Sequence, residues 1–184
     1  LSDIKIDQFG NTYCIGRYEW LGTGTPTIMG GTALPPSANS YDVFIAKLAP
    51  EGNCIWAKTF GSNFDDWGQA IEISDDGNIF ILGNFSDSIT IGNFTLLDSS
   101  SQYTLSNTFV AKLDTSGNFI WAKGIQGNLS NDCLLMNTNL YVDEAENLFF
   151  TGRFAGTINL SDTTIVSNGD YDIYFIKMDL NGQI

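Results

Sequence analysis

FVAKLDTSGNFIWAKG, residues 109–124, repeats FIAKLAPEGNCIWAKT, residues 44–59, at ten of sixteen positions and a spacing of 65 residues. A third, shorter copy, YFIKMDLNGQI at 174–184, keeps the same spacing, so that Lys47, Lys112 and Lys177 stay in register, as do Gly52, Gly117 and Gly182. Between these copies lies a second recurring block: IKIDQFGNTYCIGRY at 4–18, IEISDDGNIFILGNF at 71–85 and LYVDEAENLFFTGRF at 140–154. Its skeleton is alternating apolar residues, a turn, Asn, aromatics, Gly, and an aromatic two positions on. Glu146 stands where Gly10 and Gly77 stand in the other copies, which predicts a different backbone for that turn.

Each unit holds at least four strand-like runs, in the middle unit 69–74, 78–85, 108–113 and 118–124. In FVAKL the side chains of Phe109, Ala111 and Leu113 point one way and those of Val110 and Lys112 the other, the period of a β-strand. DTSGN, SDDGN and PEGN read as tight hairpin turns in which Gly supplies the positive φ that short loops require. No stretch carries helical periodicity. Units of four antiparallel strands at a fixed period describe β-propeller blades, with a non-propeller stack of three sheets as the alternative. The units run approximately 1–67, 68–133 and 134–184, the last incomplete, about 2.75 blades in all. A ring needs about four to eight blades, so the sequence predicts a partial ring: a piece of a longer chain, or copies that assemble. The period exceeds the roughly 40–50 residues of WD40 or kelch blades. The extra length lies in segments 17–43, 84–108 and 153–173, where runs such as ITIGNFTLL predict an additional hairpin.

The stretches DVFIAKLAPEGNCIWAK, TFVAKLDTSGNFIWAK, YDIYFIKMDLNGQI and DDWGQAIEISDDGNIFILGNF resemble the SBBP (seven-bladed β-propeller) repeat family of bacterial secreted and surface proteins. The resemblance covers nearly the whole chain apart from the variable segments. It implies an all-β propeller and an extracellular or cell-surface location. It carries over no catalytic residue, because the family shares none.

Composition narrows the function. The formal net charge is −13, from 21 acidic and 8 basic residues. Such a surface repels phosphate backbones and anionic lipid, which excludes nucleic acid and membrane surfaces as expected partners. No apolar run is long enough to span a membrane as a helix. The chain has no histidine, the commonest general base and metal ligand. Its three cysteines, Cys14, Cys54 and Cys133, sit at unrelated points of the repeat and read as buried apolar side chains rather than a disulfide framework. GTGTPTIMGG at 22–31 is followed by no helix and cannot be a dinucleotide loop. Serines lack a nucleophile elbow and a histidine partner. The acidic turns, Asp65-Asp66, Asp75-Asp76, Asp143-Glu144, Asp170 and Asp172, offer too few oxygen ligands at alternating positions for a calcium loop. Adjacent Asp65 and Asp66 do not make a glycosidase pair.

The expectation is therefore a chain that is not an enzyme and has no cofactor. It is a scaffold or binding module that recognises a protein or glycan through blade-edge loops and contacts further blades. The rivals are part of a propeller enzyme, a hydrolase or lyase, whose site lies in other blades, and a purely structural repeat of an adhesin or fibre. The recurring lysines read as packing, since a site is needed once and a blade rule in every blade. Recognition should come from what differs, the three variable segments, projected together on one side of the ring. Their aromatic anchors are Tyr18, Trp20 and Tyr103.

Overall fold

The computed structural model describes the chain except residues 39, 98–106, 129–135 and 161, and for 126–128 and 136–138 it describes the backbone alone. Among the described residues there are seventeen strands and no helix. The first unit is an antiparallel sheet of β1 (Asp3–Ile6), β2 (Thr12–Tyr18), β5 (Asp42–Leu48) and β6 (Cys54–Phe60), in that spatial order. Its variable segment forms a small hairpin, β3 (Ile28–Met29) and β4 (Thr32–Ala33). The second unit repeats the plan with β7 (Trp67–Ile73), β8 (Ile79–Phe85), β11 (Asn107–Leu113) and β12 (Phe119–Asn128), and its hairpin is β9 (Ile89–Ile91) and β10 (Phe94–Leu96). The third has β13 (Met136–Val142), β14 (Leu148–Phe154) and β17 (Asp172–Met178), with the hairpin β15 (Thr157–Asn159) and β16 (Thr164–Val166). These are propeller blades forming a partial ring. The innermost strands β1, β7 and β13 lie side by side.

Side-chain alternation gives each blade two apolar faces. Toward the following blade point Tyr13, Ile15, Val43 and Ile45 of the first, and Phe80, Leu82 and Val110 of the second. Toward the preceding blade point Ile71, Ile81, Phe109, Ala111 and Leu113 of the second, and Leu140, Phe150, Tyr174, Ile176 and Met178 of the third. The core is thus two seams between three sheets. Gly83 is part of it: a Cβ there would collide with the Phe109 ring and the Trp67 carbonyl.

The variable segments do not stand out as loops on one side of the ring, as the sequence led us to expect. Each hairpin folds back along its blade. Ile89 and Ile91 enter the first seam beside Phe60, and the turn at Gly92 lies against Phe119. The third hairpin goes further, with β15 pairing to β12 so that the middle sheet has six strands. Leu34 and Met29 of the first segment cover Cys14, Phe44 and Ala46. The physical reason is geometric: sheets that touch at their inner strands diverge outward, and the wedge would otherwise leave apolar side chains in water.

The five-residue turns share one backbone. Asp7 N–H donates to Asn11 O and Gly10 N–H to Asp7 O, and the pattern recurs at 49–53, 74–78, 114–118, 143–147 and 179–183. In four of the six, an Asp Oδ1 accepts from the N–H groups two and four residues on: Asp7, Asp114, Asp143 and Asp179. These carboxylates are occupied as turn formers. Glu146 does not depart from the pattern, contrary to the sequence-based expectation. It takes the same left-handed conformation, φ 57°, as the glycines at its equivalent positions, and its side chain explains why.

Candidate functional site

The repeated lysines form a row with two aromatics on adjacent strands. Lys47 stands opposite Tyr13 on one side and Trp56 on the other, and Lys112 stands opposite Phe80 and Trp121. Lys177 stands opposite Phe149. The ammonium groups lie 4.8, 5.1 and 5.5 Å from the centroids of Tyr13, Phe80 and Phe149, cation–π distances. Each Trp is roofed by the turn of the next blade, Trp56 by Gly117 and Trp121 by Gly182.

The counter-charge differs between seams. Lys47 Nζ lies 3.9 Å from Asp7 Oδ2 in its own blade. In the second blade Ser74 occupies the equivalent turn position, and Lys112 instead donates to Glu146 Oε2 of the third blade at 2.6 Å. Glu146 Oε1 also accepts from Ser74 Oγ at 2.7 Å and Asn78 Nδ2 at 2.6 Å. Burial pushes the Glu146 carboxyl up, but these hydrogen bonds and the Lys112 charge outweigh it and hold it below the ordinary glutamate value. The three partners offset the cost of about 1 kcal/mol for a non-glycine residue in the left-handed region. These rows are architecture, and they use up the repeated charged residues.

At the opposite end of the blades the strand connections gather around two buried carboxylates. Asp66 Oδ2 accepts from Ser62 N–H at 2.5 Å and Oδ1 from Ser86 N–H at 3.2 Å, tying the crossover between blades to the start of the second variable segment. Burial raises the Asp66 pKa to about 7, against the hydrogen bonds from Ser62 and Ser86, and the nearby Asp42 charge adds to the rise. Asp42 Oδ2 accepts from Ala38 N–H at 3.1 Å, and burial raises this carboxyl also. Asp65 pairs with Ser40. Arg17 lies between two rings, 4.6 Å from Tyr41 and 4.1 Å from Trp67. It lines a cleft of about 360 Å³ with Leu1, Ser2, Trp67, Gly68 and Gln69.

The aromatics named from sequence divide. Tyr18 is 6% exposed, its hydroxyl donates to Pro35 O at 3.0 Å and its ring meets the edge of Phe44. It fastens the first variable segment to the blade and presents no ring face to a ligand. Trp20 is half-buried and donates from Nε1 to Thr23 O at 3.1 Å. Its backbone exchanges hydrogen bonds with Ser37, and Leu21 beside it is exposed. Tyr103 and Cys133 lie outside the described residues. The Arg17 clamp and the Asp66 tie were not found from sequence: both join segments from two blades, and the signal available was the recurrence of the Arg17–Tyr41 contact as Arg153–Tyr171. Among the described residues no three His, Cys, Asp or Glu side chains group as metal ligands would.

No family model matches the sequence. The chain is 28% identical over 191 residues to an uncharacterized WD repeat-containing protein of Acanthamoeba polyphaga mimivirus. The match covers 95% of this chain and 13% of that protein, so the chain spans about an eighth of its relative's length. Likeness to a WD repeat protein agrees with the sheets described above: this is a β-propeller-type repeat.

Proposed function

We propose that this chain is a non-catalytic interaction scaffold whose contact surface is the connection end of its blades, centred on Trp20 and Leu21. The observation that carries the reading is the division of labour between the two ends. The repeated Lys, Asp and Trp residues are consumed in rows, turns and seams. The unrepeated Trp20 and Leu21 lie at the other end, where Asp42 and Asp66 accept hydrogen bonds from the connections, and Leu21 is 57% exposed beside a half-buried Trp20. A rigid aromatic next to an exposed aliphatic side chain is the usual core of a protein-binding patch. The WD repeat relative supports a scaffold role, since propellers of that kind serve mainly as platforms. The acidic balance favours a neutral or basic partner, a protein before a glycan. An extracellular or cell-surface location completes the reading and rests on the resemblance to secreted propeller repeats.

The test is to probe immobilised 1–184 and its Trp20→Ala/Leu21→Ser variant side by side on a protein array and a glycan array. The reading expects a protein ligand retained by the parent and lost by the variant, while Asp114→Asn at the far turns binds normally. A ligand indifferent to Trp20 and Leu21, or no ligand on either array, overturns it.

A further inference from the structure

The third blade turns a bare apolar face outward. Tyr141, Ile173 and Phe175 are 61%, 83% and 68% exposed, and Tyr141 and Phe175 border, with Phe149 and Thr151, a groove of about 390 Å³. These are seam positions. In the repeat, Phe149 is equivalent to Tyr13 and Phe80, Ile173 to Val43 and Thr108, and Phe175 to Ile45 and Val110, all buried against a following blade. Lys177 stands over Phe149 as Lys47 stands over Tyr13. The face has the lysine and inner aromatic of a seam row, without the tryptophan strand, and none of the described residues is seated on it.

The first blade exposes the other half. Ile4 and Ile6 are 48% and 65% exposed on β1, whereas their equivalents in the second blade, Ile71 and Ile73, pack into the first seam. The outer part of that face already carries its wedge hairpin, with Leu34 and Met29 over Phe44, just as β9 and β10 occupy the wedge of the first seam. The molecule therefore displays both complementary surfaces of one established interface, at opposite ends.

We propose that residues 1–184 associate head to tail, the first blade of a second copy docking on the third blade of the first as the second blade docks on the first. The occupant is set by continuity with the two seams: the same positions meet, in the same order, on the same sheet faces. Such a contact uses two different patches, so it is heterologous, and it propagates into rings or chains rather than stopping at a symmetric dimer.

Two variants at exposed positions test this by complementation. Ile6→Glu blocks the head face and Phe175→Glu the tail face, and both side chains are exposed enough that the fold should persist, which thermal melting followed by circular dichroism checks. In sedimentation the parent should run above the 20.1 kDa of one chain and shift with concentration. Each variant alone should run at the monomer mass. An equal mixture should give a species of twice that mass and no larger, because one intact head meets one intact tail. A parent that stays monomeric at its highest soluble concentration overturns the proposal. So does association abolished by Phe175→Glu but unaffected by Ile6→Glu, which would mean a tail-to-tail dimer, and so does a mixture of the folded variants that remains monomeric.

Discussion

The two seams are built from one row and neutralise it differently. In the first, Lys47 has Asp7 in its own blade, and the next blade carries Gly77 at the position equivalent to Glu146. In the second, the own-blade carboxylate is missing, because Ser74 replaces the aspartate, and Glu146 from the next blade supplies it. The buried lysine must have a partner, but either blade can provide one. Two departures from the repeat that look independent in the sequence, Ser74 for Asp and Glu146 for Gly, are two halves of one exchange. A second difference follows the same seams. The Trp121 indole donates to Leu180 O at 3.1 Å, whereas Trp56 Nε1 is buried with no acceptor.

The largest effect should come from undoing the exchange. Glu146→Gly restores the residue used at the equivalent turns and relieves the strained backbone, yet it leaves Lys112 buried without a carboxylate. Breaking a buried pair costs about 3–5 kcal/mol, and relief of strain returns about 1 kcal/mol, so a net loss of about 2–4 kcal/mol is expected in chemical denaturation. Adding Ser74→Asp should recover most of it by giving the second seam the arrangement of the first. A Glu146→Gly protein as stable as the parent would break the comparison.

Truncating the tryptophans comes next. Full burial of an aromatic is worth about 3–5 kcal/mol on truncation. Trp121 and Trp56 are half-buried under neighbouring turns, so about 2–3 kcal/mol is expected for each. Trp121→Ala should cost more than Trp56→Ala, because only Trp121 loses an indole hydrogen bond, worth about 1 kcal/mol. Equal losses, or a larger one at Trp56, would contradict the distinction between the seams.

Acidity separates the seams from the connection end. Asp66 binds a proton more tightly folded, at about 7, than its ordinary value of 3.8. Its contribution to stability is therefore fully present below about pH 4 and is lost as pH rises through 7. Glu146 runs the other way, contributing above its ordinary value of 4.5 and losing that contribution as pH falls through its lowered folded pKa. Asp66→Asn should flatten the fall in melting temperature between about pH 4 and pH 7, on the order of one proton in slope, while leaving the acid limb below that range unchanged. Ser74→Asp/Glu146→Gly should alter the acid limb alone. If Asp66→Asn leaves the slope between about pH 4 and pH 7 as it was, Asp66 does not titrate there.

Much of the fold was legible because the relevant patterns are local. Alternation in FVAKL assigned faces, the turns announced themselves through Gly and Asn, and ITIGNFTLL gave its hairpin. Where that hairpin goes was not legible. β15 pairs with β12 through backbone groups of another unit, and backbone pairing leaves no side-chain signature. The same limit hid the Lys–aromatic rows, since Lys112 and Phe80 are far apart in sequence and meet only once the register of β8 and β11 is known. Glu146 was misjudged because a substitution for Gly in a turn reads as a change of backbone, when its carboxylate partners in one other turn and on one strand hold the old one. At the candidate site, Trp20 was visible as a loop aromatic. Asp66 was not, because DDW in a connection looks like a solvated turn and its burial comes from two blades closing over it.

The most direct test of seam-by-seam assembly is a double-mutant cycle between the blades at Lys112 and Glu146. Lys112→Met and Glu146→Gln, singly and together, would be measured by chemical denaturation. If the second and third blades meet through this row, the double variant should be far less destabilised than the sum of the singles, with a coupling of about 1–3 kcal/mol. Additivity to within about 0.5 kcal/mol would mean that the two side chains do not meet, and that the blades do not pack through the lysine row.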